Sequence, residues 1–194
     1  DGLVLLREGQ SMDRPRARYA LMDPATGEKE WLPDMPGADQ QAWAVELGEG
    51  RLVIVPVDRA AAHVFDRGSR QWSTTSWSAL PARQGWGDRL PTMGPDGRLY
   101  VLVPATEGRI PEGGWPTGPD GEADDADAEG DTFDLWSVSP TDADDVRDEG
   151  LRVGAIAFGD DGSLVYTDSA NGAAGDVHVH DLATGEETSF DPQL

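Results

Sequence analysis

Four short apolar runs along the chain each begin just after a glycine. The runs consist mainly of Leu, Val, Ile and Tyr, and their leading glycines are Gly2, Gly50, Gly97 and Gly162. Continuous apolar runs bounded by turn residues are typical of strands buried on both faces. The Pro-Asp-Gly sequence ending at Gly97 is a turn, in which proline presets φ and glycine takes a positive φ. We therefore expect each run to be one strand of a hairpin.

A second, less apolar strand pattern follows these runs and ends in a polar turn. Its turns begin at Asp23, Asp66 and Asp181. The first continues as Pro-Ala-Thr-Gly-Glu and the last as Leu-Ala-Thr-Gly-Glu. The leading glycines are spaced by 48, 47 and then 65 residues, and Asp23 and Asp66 are 43 residues apart. A period of about 40 to 45 residues with four strands per repeat is that of a propeller blade. The longer third interval indicates an insertion in that repeat.

The sequence thus predicts an all-β fold, a β-propeller in one domain spanning 1–194. Its blades of four antiparallel strands cover 1–37, 40–80, 86–150 and 152–194, with an acidic insertion at 105–131. The first blade lacks its inner strand, since the chain opens on the turn residues Asp1 and Gly2. Closed four-bladed rings are rare, so we expect a ring of about six to eight blades. Either the chain is an excerpt of that ring or a second copy completes it as a homodimer.

The charge of the chain excludes some classes of partner. The 37 acidic residues outnumber the 15 basic ones, which gives a net charge of −22. Such a surface repels nucleic-acid phosphates and anionic lipids, and solubility or salt adaptation is the simpler reason for it. No apolar stretch reaches the length of about 18 residues that a membrane span needs. There is no cysteine, so disulfides and thiolate metal sites are excluded. The Arg-rich, Lys-poor composition is typical of GC-rich genomes such as those of actinobacteria or haloarchaea.

The turn sequences resemble the bacterial TolB-like and WD40-like propeller repeats. The resemblance is carried by the segments from Pro95 to Val101 and from Asp181 to Glu186. It implies a propeller fold and often a binding role, and it carries over no catalytic residue. An extracytoplasmic location is favoured, although the sequence leaves the compartment open.

Long connections predict where a ligand would bind. In a propeller blade, the connections at 33–41, 79–88 and 105–131 would gather on one face, opposite the short turns. Residues near the starts of inner strands would ring the channel mouth on that face: Trp43, Trp86, Asp88, Arg89 and Arg152. The alternative is that the tryptophans pack between blades and that the arginines pair with surplus carboxylates.

Two groups of residues have ligand types suited to metals. In the insertion, Asp120, Glu122, Asp124 and Asp131 have a spacing loosely like that of a Ca²⁺ loop, although a solvated acidic loop explains them more simply. His178 and His180 share one face of a predicted strand, and His63 takes the position of His178 in another blade. For the histidines, packing in half-exposed strands is the simpler interpretation. The cofactor prediction is therefore none, with Ca²⁺ as the alternative.

The leading functional hypothesis is a non-catalytic module that binds a protein, peptide or glycan through its long-loop face. Two alternatives stay open: a Ca²⁺- or other metal-assisted hydrolase or lactonase, and a structural piece of a larger propeller protein. Asp88 is the one clear carboxylate near the start of an inner strand, and a metal centre needs more. Hydrolase sequence motifs such as Gly-x-Ser-x-Gly and His-Glu-x-x-His are absent from the sequence.

Overall fold

The protein is described by a computed structural model covering residues 2–8, 18–36, 42–48, 50–56, 60–81, 91–104, 133–168 and 175–191. These residues form fifteen strands in four antiparallel sheets and no helix, and they accordingly contain no helix able to span a membrane. The strands are β1 Val4–Glu8, β2 Arg18–Met22, β3 Lys29–Trp31, β4 Ala42–Gly48, β5 Arg51–Pro56, β6 Ala61–Asp66, β7 Gln71–Ser76, β8 Thr92–Met93, β9 Leu99–Pro104, β10 Phe133–Val138, β11 Val146–Val153, β12 Ala155–Phe158, β13 Leu164–Thr167, β14 Val177–His180 and β15 Glu187–Phe190.

Each sheet consists of strands that are consecutive in sequence. The first sheet has the order β1-β2-β3, and the second has the order β4-β5-β6-β7. The third has the order β11-β10-β9-β8, and the fourth has the order β12-β13-β14-β15. The first sheet has three strands among the described residues, as the missing inner strand predicts. This meander topology confirms the predicted all-β fold with blade-like sheets.

The second sheet shows why the apolar runs become central strands. From Leu52 to Val55, every residue of β5 is buried, because one face of the sheet packs on the first sheet and the other is also covered. Next to it, β6 is buried from Ala61 to Phe65, whereas β7 at the edge is mostly exposed. The gradient from buried to exposed strands matches the gradient from apolar to polar sequence.

The Asp-led turns have the same hydrogen bonds in the first and fourth sheets. The Asp23 carboxylate accepts from the Ala25 amide at 2.7 Å, and the Asp181 carboxylate accepts from the Ala183 amide at 2.8 Å. The amides of Gly27 and Gly185 donate to the aspartate carbonyls four residues before them, and both glycines have positive φ. These turns therefore depend on aspartate at the first position and on a left-handed residue at the fifth.

The equivalent turn of the second sheet has an arginine at the left-handed position. Arg70 has a φ of 58°, the one positive φ of a non-glycine residue in the described ranges. Its guanidinium pairs with Glu30 of β3 and approaches the Trp31 carbonyl oxygen at 3.5 Å. The turn of the second sheet is thus tied to the edge strand of the first, and this contact offsets part of the backbone strain.

Gly-x-Asp-Gly turns join the first two strands of the third and fourth sheets. The Gly94 amide donates to the Arg98 carbonyl at 2.8 Å, and the Gly159 amide donates to the Ser163 carbonyl at 2.9 Å. Gly97, the last glycine of the first of these turns, has a φ of 77°, which confirms the predicted positive φ. The first glycine of the motif is required for a different reason, since a Cβ at Gly94 would collide with Tyr100.

The chain divides into two compact units, each with its own hydrophobic core. The first comprises residues 1–93 and 138–146, and the second comprises 94–137 and 147–194. The first core lies between the first and second sheets and consists of Tyr19, Leu21, Leu32, Met35, Leu52, Ile54 and Phe65. The second core consists of Tyr100, Leu102, Phe133, Leu135, Val153, Leu164 and Tyr166. The prediction of a single domain stays a prediction.

Candidate functional site

Most of the residues predicted to ring the channel mouth lie outside the described residues. This holds for Trp86, Asp88 and Arg89. The backbone of Trp43 lies in β4, where its Cα is paired with that of Val55. The assignment of these four residues to a ligand site stays a prediction.

Arg152 is the one member of this predicted set whose side chain is described. It lies in β11, at the edge of the third sheet and three residues before the inner strand β12 begins. Its Nε lies 3.7 Å from a carboxylate oxygen of Asp134 on β10, and both side chains are partly exposed. The arginine therefore pairs with a carboxylate, as the alternative interpretation from sequence expects.

The predicted Ca²⁺ ligands Asp120, Glu122, Asp124 and Asp131 also lie outside the described residues. Within the ranges that the structure describes, no group of three or more His, Cys, Asp or Glu side chains has a geometry suited to a metal ion. The Ca²⁺ assignment stays a prediction.

The fourth sheet brings together two histidines, two carboxylates and a tyrosine on one face. Tyr166 and His178 are cross-strand partners, and their rings stack with centroids 4.7 Å apart and an interplanar angle of 6°. The Tyr166 hydroxyl donates to Glu187 Oε2 at 2.6 Å, and His178 Nδ1 lies 3.2 Å from Glu187 Oε1. His180 Nδ1 lies 3.6 Å from the same carboxylate. Glu187 is therefore the centre of this group, which we call the histidine–carboxylate cluster.

Asp168 extends the cluster toward the end of the sheet opposite the two short turns. Its carboxylate lies 3.6 Å from His178 Nε2, so each nitrogen of the imidazole ring faces a carboxylate. The two acids are accessible, since the Asp168 and Glu187 side chains are 49% and 38% exposed, whereas that of His178 is 16% exposed. A ligand approaching this face would therefore meet carboxylates before it met the imidazole.

The hydrogen bonds in the cluster shift two pKa values in opposite directions. The hydroxyl of Tyr166, followed by His178 and His180, lowers the pKa of the Glu187 carboxyl, against the opposing effect of its partial burial. Burial, together with the bond to Glu187, raises the pKa of Tyr166. At neutral pH the tyrosine is therefore a neutral donor and Glu187 is a charged acceptor.

The sequence pattern finds the histidines of the cluster but misses its carboxylates. His178 and His180 do face the same side, as their spacing predicts. Tyr166 and Glu187 are found only through the register, because they stand opposite His178 and His180 on the neighbouring strands. The equivalent His63 instead has a threonine partner, with Nδ1 2.9 Å from the Thr74 hydroxyl, and is 4% exposed. Packing is thus an adequate account of His63.

The first unit has a shallow groove of about 220 Å³ near its Asp-led turns. Leu3 and Leu21 line it together with charged residues, namely Asp23, Glu28, Lys29, Glu30 and Arg67. Arg67 lies 4.0 Å from Glu30, which also pairs with Arg70. Arg67 and Glu30 thus pair with each other inside the groove, which is open to solvent.

The negative charge is concentrated in the second unit. The first unit contains 11 basic and 16 acidic residues, a net charge of −5, and the second contains 4 basic and 21 acidic residues, a net charge of −17. The histidine–carboxylate cluster belongs to the second unit. A cationic ligand would therefore be attracted to the unit that presents Asp168 and Glu187.

Comparison with known proteins supports the fold. No known protein family matches the chain, and no curated protein matches it in sequence. Among solved structures, TolB from Acinetobacter baumannii is 12% identical, with 95% of this chain and 40% of that chain covered and a TM-score of 0.52. A candidate 6-phosphogluconolactonase from Bacteroides uniformis is 13% identical, with 91% and 47% covered and a TM-score of 0.48. Virginiamycin B lyase from Staphylococcus aureus is 13% identical, with 96% and 66% covered and a TM-score of 0.42.

These comparisons bear on the fold alone. The chain has the fold of a TolB-like β-propeller, as its turn sequences predict. It spans less than half the length of the TolB and lactonase chains. At 12% identity the likeness to TolB shows the fold, and a fold by itself does not determine an activity.

Proposed function

We propose that the chain is a non-catalytic β-propeller module that binds a protein or peptide partner through a basic segment of that partner. The supporting observation is the pair of accessible carboxylates, Asp168 and Glu187, on either side of His178. A glycan is another ligand that a propeller face could bind. The two carboxylates would not strengthen the binding of an uncharged glycan by charge attraction, so we favour a basic protein segment. As part of the same proposal, a second copy of the chain completes the ring.

The electrostatics favour a cationic partner at two ranges. At long range, the net charge of −17 on the second unit attracts and orients a basic segment, an effect that salt screens. At contact range, Asp168 can accept hydrogen bonds from an arginine or lysine side chain, since about half of its surface is open. The hydrogen bond from Tyr166 holds Glu187 in position without neutralising it.

Asp168 also lies where a propeller module would meet its ligand. It follows β13 at the end of the fourth sheet opposite the short turns 159–163 and 181–186. This is the end at which the sequence predicts the long connections and the ligand. A rigid sheet that presents a charged side chain next to a connecting loop is a common arrangement for binding sites.

The test is the binding of a fluorescently labelled oligoarginine peptide, measured by fluorescence anisotropy at low and high salt. We expect Asp168→Asn to weaken binding by about two- to fivefold, the effect of one exposed charge pair. The matched control is Asp160→Asn, which removes the same charge from an exposed turn of the same sheet. Oligoglutamate and an uncharged peptide should not bind.

Two results would contradict the proposal. If the wild-type chain does not bind oligoarginine at low salt, the electrostatic argument fails. If Asp160→Asn weakens binding as much as Asp168→Asn does, the attraction belongs to the whole acidic surface and not to a site at the histidine–carboxylate cluster.

A further inference from the structure

The large hydrophobic residues that are exposed in the described part of the chain lie on two sheet faces. They are Val4, Trp31 and Phe190, with exposed fractions of 41%, 38% and 55%. Val4 and Trp31 belong to the first sheet, and Phe190 belongs to the last. Single exposed apolar residues are ordinary on protein surfaces. These three residues, however, share one property, since each lies on the sheet face that points away from the core of its own unit.

The outward face of the first sheet is identified by its strand register. Val4 stands opposite Met22, Leu6 stands opposite Ala20, and Ala20 stands opposite Trp31. Since cross-strand partners share a face, these residues form one surface, which we call the leading face. The alternate residues, such as Leu5 and Leu21, point the other way and pack on the second sheet.

The sequence repeat shows what kind of contact the leading face makes. Counting from Gly2 and Gly50, Val4 and Leu6 are equivalent to Leu52 and Ile54. Counting back from Asp23 and Asp66, Met22 is equivalent to Phe65. Leu52, Ile54 and Phe65 are the residues with which the second sheet packs on the first. The leading face is thus the equivalent of a face that covers a preceding sheet.

The outward face of the last sheet has the opposite equivalence. Val165 stands opposite Val179, and Val177 stands opposite Phe190, so these residues form one surface, which we call the trailing face. By the same counting, Val165 and Val179 are equivalent to Leu5 and Leu21 of the first sheet. Those leucines belong to the face on which the second sheet packs. The trailing face is therefore the equivalent of a face that receives a following sheet.

We infer that the leading face of one copy docks on the trailing face of a second copy, in the manner in which the second sheet packs on the first. The two faces are the two halves of one sheet-to-sheet contact. This inference specifies the self-association included in the proposed function, and it does not depend on the binding of a basic ligand.

Charge complementarity supports a second copy as the occupant. The leading face carries Arg18, whose guanidinium lies 4.4 Å over the Trp31 ring, and Lys29 opposite Met22. It also carries Glu8, opposite Arg18, so cations outnumber acids there by two to one. Docking brings these cations close to the unit with a net charge of −17, which attracts them. The residues named on the trailing face carry no charge, so the contact buries no unpaired acid there.

The contact is heterologous, because different surfaces meet. Such a contact closes into a ring if the geometry allows, and otherwise extends into longer assemblies.

Two variants, each altered on one face only, distinguish this contact from a contact between two like faces. Trp31→Glu places a charge on the leading face, and Val179→Glu places one on the trailing face, while Ala143→Glu is a control at an exposed position on neither face.

The experiment is light scattering coupled to size exclusion across a range of concentrations. We expect wild type and Ala143→Glu to give twice the chain mass of 20.8 kDa or a higher multiple of it, and each single-face variant to give the monomer mass. An equal mixture of the two variants should recover a dimer, since it contains one intact leading face and one intact trailing face. That recovery also shows that both variants fold.

A monomeric wild-type chain at all concentrations would overturn the inference and leave the faces to some other occupant, such as further blades. So would association that survives either single-face variant, or a mixture that stays monomeric although circular dichroism shows both variants to be folded. Oligoarginine binding by the monomeric variants reports separately on the proposed ligand site.

Discussion

Two glycines of one turn should respond differently to the same substitution. At Gly94 an added Cβ would lie 2.7 Å from an Asp96 carboxylate oxygen and 3.0 Å from Cδ2 of the Tyr100 ring, and nearer still to Cε2. At Gly97 an added Cβ would have no atom within 4 Å, but the φ of 77° is unfavourable for alanine. Gly94→Ala therefore tests packing, and Gly97→Ala tests backbone conformation.

The two costs can be estimated separately. Tyr100 is 2% exposed. Its ring packs edge-to-face against the ring of Phe158, with the two ring centroids 4.9 Å apart, so the tyrosine has little room to move. Overpacking of a rigid core costs about 1–3 kcal/mol, and we expect about 2–3 kcal/mol for Gly94→Ala. Placing alanine at positive φ costs about 1 kcal/mol. For a chain of this size, these correspond to Tm losses of roughly 4–12 °C and 2–4 °C.

Thermal and urea unfolding followed by circular dichroism measure both variants. In a Tyr100→Leu background the ring is gone, so the cost of Gly94→Ala should fall by about 1–2 kcal/mol, whereas the cost of Gly97→Ala should not change. Equal costs for the two alanines, or a Gly94→Ala cost that is the same with and without the Tyr100 ring, would refute the steric explanation.

Glu187 and Arg70 give two further predictions. Because Tyr166 lowers the pKa of Glu187, the carboxylate stabilises the fold above its unfolded pKa and loses this effect as the pH falls through the lowered value. The Tm of wild type should thus exceed that of Glu187→Gln at pH 7 and converge with it below about pH 4, and a difference that grows in acid would contradict this. Arg70→Gly should change the unfolding free energy by less than about 0.5 kcal/mol, since relief of the positive φ offsets the lost pair with Glu30. In a Glu30→Gln background, Arg70→Gly should stabilise by about 1 kcal/mol in urea unfolding, and a loss of stability there would contradict the strain argument.

Much of the fold could be predicted because it is local. Apolar runs after Gly50 and Gly97 form buried strands, the run after Gly162 forms a strand buried on one face, and the turns at Asp23 and Asp181 use the same hydrogen bonds. Such features depend on neighbours in sequence, so a single sequence reveals them. The bounds of the outer strands are less visible, since all four residues of β15 are exposed and carry no apolar alternation.

The candidate site could be predicted only in part, because it depends on register. His178 and His180 are visible as a pair in sequence, but the carboxylate that joins them comes from the next strand. Nothing in the residues around Glu187 marks it as their partner, and the length of the turn alone decides which residue stands opposite. For Arg152 the sequence offers pairing with a carboxylate as an alternative, but among 37 acidic residues it does not identify Asp134 as the partner.

The arginine at the left-handed turn position has a consequence for how the sequence can change over evolutionary time. While Glu30 is present, Arg70 holds two sheets together and its unfavourable backbone angle is tolerated. Once Glu30 is lost, the strain outweighs the remaining long contact with the Trp31 carbonyl oxygen, and glycine becomes the better residue. The order of substitution therefore matters: a lineage that changes Glu30 first gains from a following change at Arg70, and one that changes Arg70 first gains little. The two positions, 40 apart in sequence, are expected to vary together.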